Sequence, residues 1–134
     1  MKRIILALLL VFCVASTASA ANFVEICRDD YFLIYIDIDF LQPKGDYVTC
    51  WTKWIPRGKE LEKVNKFFKK KVSHYMQFYA YKIYDRQSQE LVKLVYFENG
   101  EFETFLNRNL TINGWKEIIP QTYGEMIWEL VKIQ

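Results

Sequence analysis

Between Phe32 and Leu41 the chain alternates. Phe32, Ile34, Ile36, Ile38 and Phe40 fall on one side, and Leu33, Tyr35, Asp37, Asp39 and Leu41 on the other. Period two predicts a strand with one buried and one mixed face. Arg28-Asp29-Asp30 marks a turn before it, and Pro43-Lys44-Gly45-Asp46 marks one after it. Those residue types supply turn dihedrals. The apolar run around Cys27 and the run Tyr47–Ile55, closed by Pro56, then become its neighbours in an antiparallel meander.

After Pro56 the period changes. Leu61, Val64, Phe67, Phe68 and Val72 recur at helical spacing, which predicts a short amphipathic helix or irregular arm over 58–73. Lys66, Lys69, Lys70 and Lys71 read as its solvated face. Strand character returns over 74–85 and again from Leu91 to about Glu98, joined by a polar connection, Arg86–Glu90. Asn99-Gly100 signals a turn. Glu101–Asn113 shows no clear period.

The stretch "GWKEIIPQTYGEMIW", residues 114–128, reads as the start of a helix. Pro120 can precede a helix, and Thr122 and Glu125 have the spacing of a capping box. Tyr123, Ile127, Leu130 and Val131 follow as an apolar stripe, helped by Met126. Trp115, Ile118 and Ile119 are placed to seat it. Trp115, Pro120, Thr122 and Glu125 are therefore structural, because no nucleophile or base accompanies Glu125. The chain is predicted to be α+β: an antiparallel sheet of about five or six strands, meander first, with a C-terminal helix packed on one face.

Residues 1–20 have their own grammar. Lys2 and Arg3 precede an apolar run, Ile4–Val14, and Ala18-Ser19-Ala20 ends it. That order predicts a secretory signal peptide cleaved after Ala20. The run is short of the roughly 20 apolar residues a membrane span needs, and Phe12 before Cys13 argues against lipidation. A single exported domain over 21–134 is expected, in the periplasm or at the cell surface, with no membrane insertion after cleavage. The full chain has 18 basic and 16 acidic residues. Losing Lys2 and Arg3 leaves the two equal, so no global field favours nucleic acid or an anionic membrane.

Cys27 and Cys50 remain beyond the leader. In the meander their cross-strand partners lie near Phe32 and near Asp37, about 16 Å apart along the strand. A disulfide tolerates about 7 Å between Cα atoms, so the two thiols are expected to stay free. With no CxxC and a single histidine, His74, no metal is expected, and no Gly-rich loop points to a phosphate cofactor. Asp37 and Asp39, about 7 Å apart on one strand face, read as solvated carboxylates ahead of a hydrolase pair or a cation site. His74 is not expected to belong to a catalytic triad. No enzyme is expected.

Aromatic content is high, at 17%. In "YMQFYAYKIY", Met76, Phe78 and Ala80 are slim enough to lie under the C-terminal helix. Tyr75, Tyr79 and Tyr81 then share the opposite face as candidate partner-binding residues, unless Trp51 or the Lys-rich arm covers them.

Four segments carry a resemblance: "YID" (35–37), "CWTKWIP" (50–56), "IYD" (83–85) and "WKEIIPQTYGE" (115–125). In order and rough spacing they resemble the surface-adhesin protein E-like family of small exported bacterial proteins, from about Val24 to Val131. The resemblance implies an antiparallel sheet with a C-terminal helix, and an adhesin-like use, since the namesake binds host matrix and serum proteins. Many relatives pair a cysteine near the Ser73–Asp85 strand with one at the chain end. Here those places read "KKKVSHY" and "LVKIQ", and "RQSQ" replaces the glycine after Tyr-Asp. The leading expectation is a protein-interaction domain whose partner is a host matrix protein, an envelope protein or a second copy. The alternative is a periplasmic small-ligand carrier or inhibitor module with a pocket between sheet and helix.

Overall fold

A computed structural model describes residues 21–133; the expected leader, 1–20, lies outside the described residues. Eight strands and two helices follow in order: β1 (Phe23–Arg28), β2 (Phe32–Asp37), β3 (Gln42–Lys44), β4 (Tyr47–Pro56), α1 (Gly58–Phe68), β5 (Val72–Lys82), β6 (Gln87–Phe97), β7 (Phe102–Asn107), β8 (Lys116–Glu117) and α2 (Tyr123–Val131). All pair antiparallel in one sheet of order β1-β2-β4-β5-β6-β7, with β3 against β4 and β8 against β6. The architecture is α+β with a C-terminal helix on one sheet face.

The alternation from Phe32 does not run to Leu41 as one strand. It stops at Asp37, where a short 3-10 turn, Ile38–Phe40, begins. The Asp37 carboxylate accepts from the backbone N–H groups of Asn22 and Asp39, both at 3.2 Å. A short carboxylate offers the backbone an alternative to the ladder, and the chain bends away. Asp37 is buried and Asp39 exposed, so the pair is not a strand-borne dyad.

Both helices lie on the same side of the sheet. Under α2, Ile36, Val48, Cys50 and Tyr81 meet Ile118, Ile127, Trp128 and Val131. Under α1, Val72, Tyr75, Val95 and Phe97 meet Val64 and Phe68. Trp54 packs against both clusters and joins them. The Lys-rich face is solvated: Lys66, Lys69, Lys70 and Lys71 are exposed. Lys70 reaches Glu101 and Glu103 at 3.4 and 3.6 Å.

Register decides the fate of the tyrosines. β4 and β5 pair Trp54 with Tyr75, Cys50 with Tyr79 and Val48 with Tyr81. Directly opposed residues point to one face, so the three tyrosines share the helix side. The assignment of Tyr75, Tyr79 and Tyr81 to an open partner face is therefore corrected: Tyr75 and Tyr81 are core, at 8% and 1% exposure, and Tyr79 is half-buried. Met76, Phe78 and Ala80 take the other face.

Both cysteines are free. Cys27 pairs with Ile34, and Ile34 with Trp54. Cys50 thus lies four positions along β4 from that line, about 13 Å away by strand rise alone. Titrating the unfolded, unreduced chain from Ala21 onward should find both thiols; a Cys27–Cys50 peptide in mass spectrometry is the contrary result.

Half of the capping box forms. Thr122 Oγ1 accepts from Glu125 N at 3.4 Å and donates to Ile119 O at 2.7 Å. The Glu125 side chain does not return to Thr122; it pairs with Arg86. Thr122→Ala should cost about 1 kcal/mol in denaturant unfolding, as an N-cap does. Trp115 packs at a tilt on Tyr47, centroids 5.9 Å apart, with Lys82 over its ring. Ile118 is buried as expected, whereas Pro120 and Ile119 are exposed.

Candidate functional site

The face away from the helices is built from cross-strand pairs. Trp51 lies opposite Phe78, His74 opposite Tyr96, and Tyr96 opposite Phe102. The rings stack accordingly, with centroids at 4.9, 4.7 and 5.4 Å. Met76 and Leu94 pair between them. A shallow groove of about 400 Å³ crosses the strands here, lined by Phe23, Phe40, Trp51, Met76, Leu94 and Tyr96. Phe102 is 56% exposed, and Trp51, Phe78 and Tyr96 are half-buried. Among the described residues no helix packs on these rings. The segment 108–115 closes only the far end: Thr111 exchanges two backbone hydrogen bonds with the buried Gln89 side chain, each 2.9 Å, and Trp115 rests on Tyr47.

His74 sits at the edge of this surface, its Nδ1 within 2.8 Å of Ser73 Oγ. Burial, and then the charge of Lys53, pull its pKa below the usual imidazole value. At neutral pH the ring is uncharged, a stacking partner for Tyr96. Among the described residues no carboxylate is hydrogen-bonded to His74 or Ser73 to complete a triad. Among the described residues, no three His, Cys, Asp or Glu side chains gather where they could hold a metal ion.

No family model matches the chain, and searches of the curated proteins and of the solved structures find no match.

A second concavity opens on the helix side, an open cleft of about 450 Å³ between the sheet and the segment leading into α2. Trp54, Tyr79, Leu106 and Ile118 form its apolar part, and Glu90 and Arg108 bring charge to it. It is neither closed nor purely apolar. Tyr79 stacks on Tyr81 at 5.6 Å. Burial, and then the neighbouring Glu90 charge, push the Tyr79 hydroxyl well above its usual pKa. Cys50 is pushed up to about 12 by burial alone, so its thiol is inert at physiological pH.

The aromatic surface was hidden in plain alternation. Phe78, expected under the C-terminal helix, and Trp51, expected as a possible cover for the tyrosines, stand together on the opposite face instead. The signal available was the high aromatic content on both sides of both strands.

A clamp holds the N-terminal meander to α2. Tyr123 Oη donates to Asp29, whose carboxylate also accepts from the backbone N–H groups of Tyr31 and Phe32, each at 2.8 Å. The Tyr123 hydroxyl, then these N–H groups, hold Asp29 below the usual carboxylate range. A depressed folded pKa contributes stability that is present above the unfolded value, about 4, and lost as pH falls through the folded one. The wild type should therefore lose more thermal stability between about pH 5 and 2 than Tyr123→Phe does. Parallel melting curves would contradict the clamp.

Proposed function

We propose that this chain is a protein-interaction domain of the bacterial envelope, exported by its N-terminal leader to the periplasm or cell surface and adhesin-like in use. It carries no catalytic duty in this reading. The observation behind the proposal is the helix-free sheet face, where Trp51, Phe78, Tyr96 and Phe102 stand in stacked pairs around a shallow apolar groove. Aromatic rings supply large contact area at low entropic cost and are enriched at interface cores and hot spots. The leader pattern supports export, and the resemblance in "CWTKWIP" and "WKEIIPQTYGE" supports the adhesin-like use.

A Trp51→Ala, Tyr96→Ala double variant tests it. The variant should stay folded by circular dichroism yet lose binding to purified host matrix proteins or envelope extract, and any self-association seen by sedimentation. Undiminished binding in the folded variant would reject this face as the interface.

A second reading, a small-ligand carrier, draws support from the cleft between sheet and α2, which brings a carboxylate and a guanidinium together among apolar side chains.

A further inference from the structure

We propose that the helix-side cleft binds a small zwitterion, a free α-amino acid with a large apolar side chain. The proposal deepens the carrier reading and is independent of the aromatic face. It begins with a bulge. Along β5 and β6, Phe78 pairs with Val92, but the next residue, Tyr79, pairs with Glu90. Leu91 is the extra residue. Without it, period two would set Leu91 opposite Tyr79 and turn Glu90 to the other face. Bulges re-aim side chains in this way, and here the result is a carboxylate beside Tyr79.

The same bulge stations a cation. The backbone N–H of Arg108 donates to Leu91 O at 2.9 Å, and its Nε donates to Glu90 O at 2.9 Å. Among the described residues, neither terminal guanidinium nitrogen has a hydrogen-bond partner. Glu90 Oε1 accepts from Gln77 Nε2 at 3.2 Å, and the Tyr79 hydroxyl also hydrogen-bonds this carboxylate, so neutral donors orient it toward the cleft. Among the described residues neither Glu90 nor Arg108 enters a salt bridge, with each other or with any other group.

Two opposite charges thus line one cleft without neutralising one another. A ligand ammonium suits Glu90, and the Trp54 and Tyr79 rings favour a cation nearby. A ligand carboxylate suits the free fork of Arg108, which bonds carboxylates bidentately. Trp54, Leu106 and Ile118 accept an apolar side chain. A purely anionic ligand meets Glu90 without a partner for it, and a purely cationic one meets Arg108. Lys116 and Glu117 add one charge of each sign to the lining, which keeps it balanced.

Three probes separate these cases: L-phenylalanine, its amide (cation only) and N-acetyl-L-phenylalanine (anion only). Each is titrated into the wild-type chain by calorimetry, with tryptophan fluorescence as a second readout. The free amino acid should bind at least about tenfold more tightly than either derivative, the loss expected for one charge-assisted contact. Glu90→Gln should remove the preference over the N-acetyl form, and Arg108→Gln the preference over the amide. Equal binding of all three, or tighter binding of one derivative, would overturn the ligand class while leaving a working cleft. No binding by any probe would overturn both the class and the carrier reading. Pull-down through the aromatic face is a separate readout that Glu90→Gln should not alter.

Discussion

Tyr81→Ala should cost about 3–5 kcal/mol of folding stability, the range for deleting a buried aromatic side chain. Tyr81 is 1% exposed and belongs to the cluster formed by Val48, Cys50, Ile127, Trp128 and Val131. Its ring lies between β4 and α2 and stacks on Tyr79. Alanine would leave a cavity that helix and sheet can close only by shifting together. The cost is read from guanidinium unfolding at constant slope. The Tyr79→Ala, Tyr81→Ala double variant should unfold at ordinary temperature, which makes it useless as a probe of binding. A loss under about 1 kcal/mol for Tyr81→Ala would contradict the placement of this ring in the core.

Trp128→Ala should be of similar size, about 3–5 kcal/mol, for a compound reason. The indole is 7% exposed, and its Nε1 donates to Lys82 O at 2.8 Å. The ring also carries Lys132 at 4.3 Å and Arg86 at 5.1 Å over its face. Alanine removes the ring volume, both cation contacts and the only helix-to-strand hydrogen bond that this indole makes. Trp128→Phe should recover most of the packing and lose mainly the hydrogen bond, about 0.5–1.5 kcal/mol. α2 has nine residues, too few to be helical on its own in water. Hydrogen exchange in Trp128→Ala should therefore speed up first in α2, ahead of the central strands. Uniform acceleration across the sheet would show that helix docking and sheet stability are not separable.

The two results bear on function through the same feature. Both large side chains lie on the helix side, which is where the stability of the domain is concentrated. The opposite face can present Trp51, Tyr96 and Phe102 to solvent because the core does not depend on them. Variants there should be tolerated, which is what makes the binding test clean.

Much of the scaffold was legible in the chain. Alternation located β2 as far as Asp37, and apolar strand runs located β4, β5 and the later part of β6, while Gln87–Glu90, expected in a polar connection, open β6 instead. The Thr122 cap and the Ile127 and Val131 stripe located α2, since capping and amphipathic spacing are local. The free state of Cys27 and Cys50 followed from strand rise alone. β7 was not legible: its six residues are almost all exposed, and an edge strand with nothing to bury leaves no period to read.

What the sequence by itself determined is therefore local: where strands run, where helices start, and which residues must share a face with one another. Which face the helices cover was decided only in three dimensions. After β8 the chain passes Ile118 to the side already holding Val48, Cys50 and Tyr81, and no residue pattern within β5 states that choice. Two single-residue events are of the same kind. Asp37, still paired with Phe23, caps the turn that ends β2, and Leu91 inserts into β6 and turns Glu90 over. Each depends on partners far along the chain, Asn22 for one and Arg108 for the other. The aromatic face and the charged cleft both arise from those choices, because a pattern fixes the spacing of side chains along a strand, while long-range pairing fixes what stands opposite them.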